Sequence, residues 1–101
     1  MQVRQHADHT TLLIRGPVRL GEVPQLLEHA RTVSARALAV EVDLSEAEHL
    51  HTAAWQVLMA LAQAAEKQQQ TFRTIGASDN HRTMLNFLEL GHWLPDQRGE
   101  S

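Results

Sequence analysis

A chain of 101 residues, 43% hydrophobic and without an apolar run long enough to cross a bilayer, has material for one soluble domain and no second core. Its formal charge of −3, with eight arginines and one lysine scattered along the sequence, argues against nucleic acid as a partner, because such binding is dominated by counterion release at clustered basic residues. The absence of cysteine excludes a disulfide framework and a cysteine metal site and suits a reducing compartment, while seven histidines make charge and binding responsive to mild acidification.

The opening Met1-Gln2-Val3-Arg4-Gln5-His6 alternates polar and apolar residues and lacks the apolar core of a secretory signal, so a cytoplasmic protein is expected. Residues 2–5 and 10–15 read as two strands joined by the polar turn Ala7-Asp8-His9, with Leu12 and Ile14 on one face and Thr11 and Arg15 on the other. Gly16-Pro17 breaks the second strand. Gly21-Glu22-Val23-Pro24 then opens a helix with Pro24 in its first turn, where a missing N–H costs little. Val23, Leu26, Leu27, Ala30 and Val33 give this helix one apolar face, and Ser34-Ala35-Arg36 ends it.

Residues 37–43 make the clearest strand, with Leu38, Val40 and Val42 on one side and Glu41 on the other. It ends at Asp43, and a short polar loop leads to a helix over about residues 52–67. On that helix Ala54, Val57, Leu58, Leu61 and Ala65 form one stripe, from which Gln56, Gln63 and Gln70 fall away. Residues 71–75 read as a strand, Gly76-Ala77-Ser78 as a turn, and residues 79–90 as a helix with Met84, Leu85, Phe87 and Leu88 inward and Gly91 as its C-cap. Trp93-Leu94 is expected to return to the core before Pro95, giving a domain over residues 1–95 and a disordered polar tail over 96–101.

The order ββαβαβα implies a mixed sheet of four to five strands with parallel pairs, since parallel neighbours need crossover helices. Arg15, Glu41 and Arg73 each run out of phase with the apolar residues of their own strands. One sheet face is therefore expected to be covered by helices and the other to be polar, making a two-layer α/β domain.

The candidate site lies where residue 43 leads toward residue 52, because the carboxyl ends of parallel strands are where open α/β sheets keep their binding surfaces. Thr52 is expected to cap the helix, an interaction worth about 1 kcal/mol. The same hydroxyl is a candidate phospho-acceptor, since a phosphate of roughly −1.5 to −2 charge suits the positive end of a helix. His49 and His51 have a spacing that metals use on a strand, but without cysteine or a fixed third ligand a polar loop is the plainer reading, and His51 beside Thr52 is positioned to orient a phosphate. Trp55 falls on the flank of the helix wheel beside Met59, as partly buried packing or as an interface anchor with one wet edge. Ser45 precedes Glu48 at capping-box spacing, though the helix starts later, and Ser78 is expected as an N-cap on the same rim as Thr52. The sequence carries no Ser/His/Asp order, no Gly-rich phosphate loop and no pair of carboxylates suited to a cleft, so neither catalysis nor a cofactor is expected.

The order of these pieces resembles the STAS domain, the sulfate-transporter and anti-sigma-factor-antagonist family. The resemblance runs from the opening hairpin through Leu38-Ala39-Val40-Glu41-Val42-Asp43-Leu44-Ser45, Val57-Leu58-Met59-Ala60-Leu61 and Phe72-Arg73-Thr74-Ile75-Gly76-Ala77-Ser78 to Leu88-Glu89-Leu90-Gly91-His92-Trp93-Leu94. In the family the entry to the second long helix usually reads Asp-Ser-Ser-Gly or Asp-Ser-Ala-Gly, with the first hydroxyl phosphorylated by a partner kinase; here those positions are His51, Thr52, Ala53 and Ala54. The resemblance implies a non-enzymatic signalling module with a partner surface at Ser45, His49, His51, Trp55, Gln56 and Ser78. Its partner would be an anti-sigma-type Ser/Thr kinase or another signalling protein. Two departures, His51 and Arg19 where many members carry acidic residues, make the neighbourhood less negative. The alternative the resemblance allows is a constitutive accessory subunit of a chemosensory or lipid-transport complex, without phosphorylation.

Overall fold

Alternation at the amino end builds the first edge of the sheet. In the computed structural model, which describes residues 1–88, β1 (Gln2–Gln5) pairs antiparallel with β2 (His9–Val18) across a turn closed by the His6 N–H, which donates to the His9 carbonyl at 2.8 Å. A 3-10 turn over Leu20–Glu22 leads to α1 (Val23–Ala35), then β3 (Ala39–Leu50), α2 (Thr52–Lys67), β4 (Phe72–Ile75) and α3 (Asp79–Phe87). The sheet order is β1-β2-β3-β4, with β2, β3 and β4 mutually parallel. Both crossovers step the same way, so their right-handed sense sets α1 and α2 side by side on one face. There Leu12, Ile14, Val40, Val42 and Leu44 meet Leu26 and Val33 of α1 and Leu58 and Leu61 of α2 in a single core.

The opposite face is polar, in keeping with the phase of the charged residues. Thr11, Glu41 and Arg73 stand in one register row across three strands. The Thr11 hydroxyl donates to one Glu41 oxygen at 3.2 Å, while the Arg73 guanidinium donates to the other from Nη2 at 2.6 Å and from Nε at 3.2 Å.

Two strands differ from their sequence boundaries. β2 continues through Gly16-Pro17 to Val18, and β3 continues through the stretch expected as a loop to Leu50. The two extensions support each other as parallel partners, Arg15 with Glu46, Gly16 with Ala47 and Val18 with Leu50, with register shifts after Leu13 and after Gly16. At each shift β3 carries one residue more than β2. Such bulges tolerate a proline and a left-handed glycine, and Gly16 has φ +67°. β3 also starts late, at Ala39, because Ala37 turns through a left-handed φ of +54° after α1.

In α3, Leu85 is fully buried and Met84 and Leu88 are half-buried, but Phe87 is 80% exposed rather than inward. The expected Gly91 cap, the return of Trp93-Leu94 and the tail over 96–101 lie outside the described residues.

Candidate functional site

The bulged end of β3 sets the geometry of the rim. At the first shift the Asp43 carboxylate accepts the Ser45 N–H at 2.9 Å, a local side-chain bond that satisfies a donor displaced from the ladder. Arg15 Nε donates to Glu46 Oε1 at 3.0 Å across the same irregularity. Farther on, the His51 N–H donates to the Val18 carbonyl at 2.9 Å, so the chain leaves the sheet at His51.

His51 caps α2. Its backbone is extended, with φ −58° and ψ 149°, and its Nδ1 accepts the Ala53 N–H at 3.0 Å. The expected cap at Thr52 is therefore corrected: Thr52 is the first helical residue. An N-cap needs an extended backbone and an acceptor two bonds beyond Cβ or nearer, and His51 supplies both, with Nδ1 where an asparagine would hold its oxygen. Thr52 is exposed, and its hydroxyl makes no hydrogen bond among the described residues. Gln56, one turn on and also exposed, shares its helix face.

Ser78 caps α3 as expected. Its Oγ accepts the His81 N–H at 3.2 Å, and His81 Nδ1 accepts the Ser78 N–H at 3.2 Å, a reciprocal capping box in which histidine takes the usual place of glutamate or glutamine. The other ring nitrogen of His81, Nε2, donates to the Glu48 carbonyl at 2.7 Å. A carbonyl only accepts and an amide N–H only donates, so the ring is neutral with its proton on Nε2. This bond ties α3 to the bulged end of β3, and the buried ring meets Trp55 edge-on with centroids 6.1 Å apart.

Between these elements opens a cleft of about 700 Å³, lined by Leu50, Trp55, Met84 and Phe87 with His49 and Ser78 among its polar groups. The structure thus gathers His49, Trp55 and Ser78, whereas Ser45 packs under the turn at Gly76 and Thr52 and Gln56 stand on the first turns of α2. Trp55 is 2% exposed, more deeply buried than the partly buried packing expected of it and without the wet edge of an interface anchor: it forms the floor of the cleft. The His81 ring of α3 meets this side chain, a contact that the wheel of α2 alone does not reveal. The His49/His51 pair is divided, since His51 turns Nδ1 into its own helix, and among the described residues no group of three His, Asp or Glu side chains is placed to hold a metal. Sequence reasoning missed His81. Its signal was present as Ser78-Asp79-Asn80-His81, a capping-box spacing with an unusual last member.

The family described as "Mlab, STAS domain" matches residues 1–96. Solved structures that share the fold include the anti-sigma factor antagonist SpoIIAA in its unphosphorylated form (TM-score 0.78, 16% identity, covering 92% of this chain and 84% of that one), an anti-sigma factor antagonist from Mycobacterium paratuberculosis (0.81, 21%, 93% and 80%) and a putative anti-sigma factor antagonist from Thermotoga maritima (0.81, 9%, 92% and 81%). Among curated proteins no match to the chain was found. With its four-stranded mixed sheet, its helices on one face and a family match over nearly its whole length, the chain belongs to the STAS-domain family.

Proposed function

We propose that this STAS domain is a non-enzymatic interaction module that docks a signalling partner, such as an anti-sigma-type Ser/Thr kinase, on the rim formed by the end of β3, the start of α2 and the start of α3. Phosphorylation of Thr52 controls that docking. The observation that carries the reading is the freedom of the Thr52 hydroxyl: it is exposed at the first position of a sixteen-residue helix, and the cap is provided by His51 instead. A phosphate there costs the fold no existing bond and gains from the helix dipole, so its effect falls on the partner. Likeness to anti-sigma factor antagonists supports the same reading.

The test compares Thr52→Glu and Thr52→Ala baits against partners captured from the source cells. A difference in affinity of tenfold or more, about 1.4 kcal/mol, is expected. Equal affinity of the two variants for the natural partner overturns control through Thr52.

A second reading, a constitutive accessory subunit without phosphorylation, is favoured by His51, which stands where many family members carry an acidic residue and whose imidazole is already occupied as a cap. Phosphate on Thr52 in protein isolated from its own cells decides against it.

A further inference from the structure

An imidazole nitrogen takes part at the start of both helices that frame the candidate surface, as the cap of α2 and as the acceptor for the N–H of the Ser78 that caps α3. His51 Nδ1 accepts the Ala53 N–H at 3.0 Å at the start of α2, and His81 Nδ1 accepts the Ser78 N–H at 3.2 Å at the start of α3. Neither bond survives protonation, because an imidazolium has two N–H donors and no acceptor. Addition of a proton to Nδ1 of His81 turns a donor toward the Ser78 N–H, and the other nitrogen is already committed to the Glu48 carbonyl. His81 is 4% exposed, so the charged ring has no water to replace the lost bond where it stands. At both sites the new charge also faces the positive end of a helix dipole.

The charged and titratable side chains flanking His81 are Glu48 and His49 on β3 and Asp79 and Arg82 on its own helix; Trp55 of α2 presents only a ring. Beside His51 stand His49 on β3 and Arg19, which follows Val18 of β2; α2 has no acidic residue in its first turn. Among the described residues neither imidazole makes an ion pair with a carboxylate.

We infer that His51 and His81 form an acid-sensitive latch: protonation removes the imidazole cap of α2 and the bond that holds the Ser78 N–H at the start of α3, and so loosens both helix starts beside the cleft over Trp55. The regulatory meaning of the latch rests on the docking role proposed above for this surface, but its chemistry does not. Mild acid thereby reshapes the rim without any covalent change.

The test uses the full chain alone and needs no partner. Amide hydrogen exchange, corrected for the intrinsic pH dependence of exchange, is followed at the Ala53 and Ser78 amides from pH 7.5 to pH 5.5. Protection is expected to fall about fivefold or more, the scale of a lost N-cap. The variant His51→Asn/His81→Gln retains capping groups of the usual kind without titratable rings, and its protection is expected to stay level over the same range. A level profile in the native chain, or an equal fall in the variant, overturns the latch. Nitrogen chemical shifts of the native His81 ring give a reading that does not depend on any variant folding: a bare Nδ1 with the proton on Nε2 at pH 7.5 is expected, and a proton on Nδ1 overturns the proposal. These results leave the Thr52 experiment untouched, so failure of the latch and failure of the docking role are told apart.

Discussion

A Cβ on Gly76 would stand 2.7 Å from the Cβ of Ser45 and 2.7 Å from its nitrogen, so the turn after β4 rests directly on the backbone of β3. Gly76 also has a left-handed φ of +69°. Two independent penalties therefore attend any side chain here, one for the backbone conformation and one for overpacking against atoms that cannot swing away. Gly76→Ala is expected to destabilise the fold by about 3 kcal/mol, measured as a shift of the urea midpoint at unchanged slope. A cost under about 1 kcal/mol would show that the turn moves away from β3 without penalty.

The opposite sign is expected at Ala37. It holds φ +54° after α1, is exposed, and occupies the kind of position where helices usually end on glycine. Ala37→Gly relieves that conformation but loosens the unfolded chain, leaving a net gain of about 0.5 kcal/mol in the same denaturation assay. Any loss of stability would contradict the assignment of strain to this residue.

The alternation of Leu12 with Ile14 and of Val40 with Val42 made the central strands legible, and the apolar spacing in α1 and α2 fixed those helices almost to the residue. The strand extensions were hidden because their cause is mutual: Gly16-Pro17 and Glu46 to His49 look like punctuation alone, and become strand only when β2 and β3 lend each other hydrogen bonds across two bulges. At the candidate site the hydroxyl of Thr52 was visible and its surface position was anticipated. The cap was misassigned because Ser, Thr, Asp and Asn dominate such positions, and the imidazole of His51 does the same work by geometry rather than by residue class. The contact of Trp55 with His81 of α3 joins two elements, and no periodicity within α2 encodes it.

Trp55 is buried and Phe87 is exposed at the same cleft, and substitution separates them. Trp55→Ala is expected to cost about 4 kcal/mol of stability, as for a large buried aromatic, which disqualifies it as a probe of binding. Phe87, 80% exposed at the mouth of the cleft, should tolerate Phe87→Ser within about 0.5 kcal/mol. Chemical denaturation of both variants checks the ranking. The reverse order would mean that α3 is rotated relative to the cleft.

The start of α2 offers a similar contrast between neighbours. At pH 7.5 His51→Ala should lose about 1 kcal/mol with its cap, whereas Thr52→Ala, which removes a hydroxyl without a partner, should change stability by less than about 0.5 kcal/mol. Thermal denaturation of the two single variants is sufficient. A larger loss at Thr52 than at His51 would return the cap to the hydroxyl and leave phosphorylation with a structural cost.

At the far end of the sheet, Asp8 gives a pH dependence of defined sign. Its carboxylate accepts a hydrogen bond from His9 Nδ1 at 2.8 Å, and this bond, aided by a backbone bond and the charge of His9, holds the carboxyl below its usual range. A carboxyl lowered in the folded state contributes stability that is fully present above its unfolded value, roughly pH 3.9, and is lost as pH falls through the lower folded value. Asp8 is fully exposed, so the contribution is small and screened by salt. Asp8→Asn should therefore lower the denaturation midpoint slightly at pH 5, with the gap to the native chain closing as the medium becomes more acidic. Carbon NMR of the Asp8 carboxyl reads the cause directly, as a titration midpoint below that of an aspartate in a short peptide. A midpoint at or above the peptide value, or a gap that widens toward acid, would show that the His9 bond does not favour the ionised form.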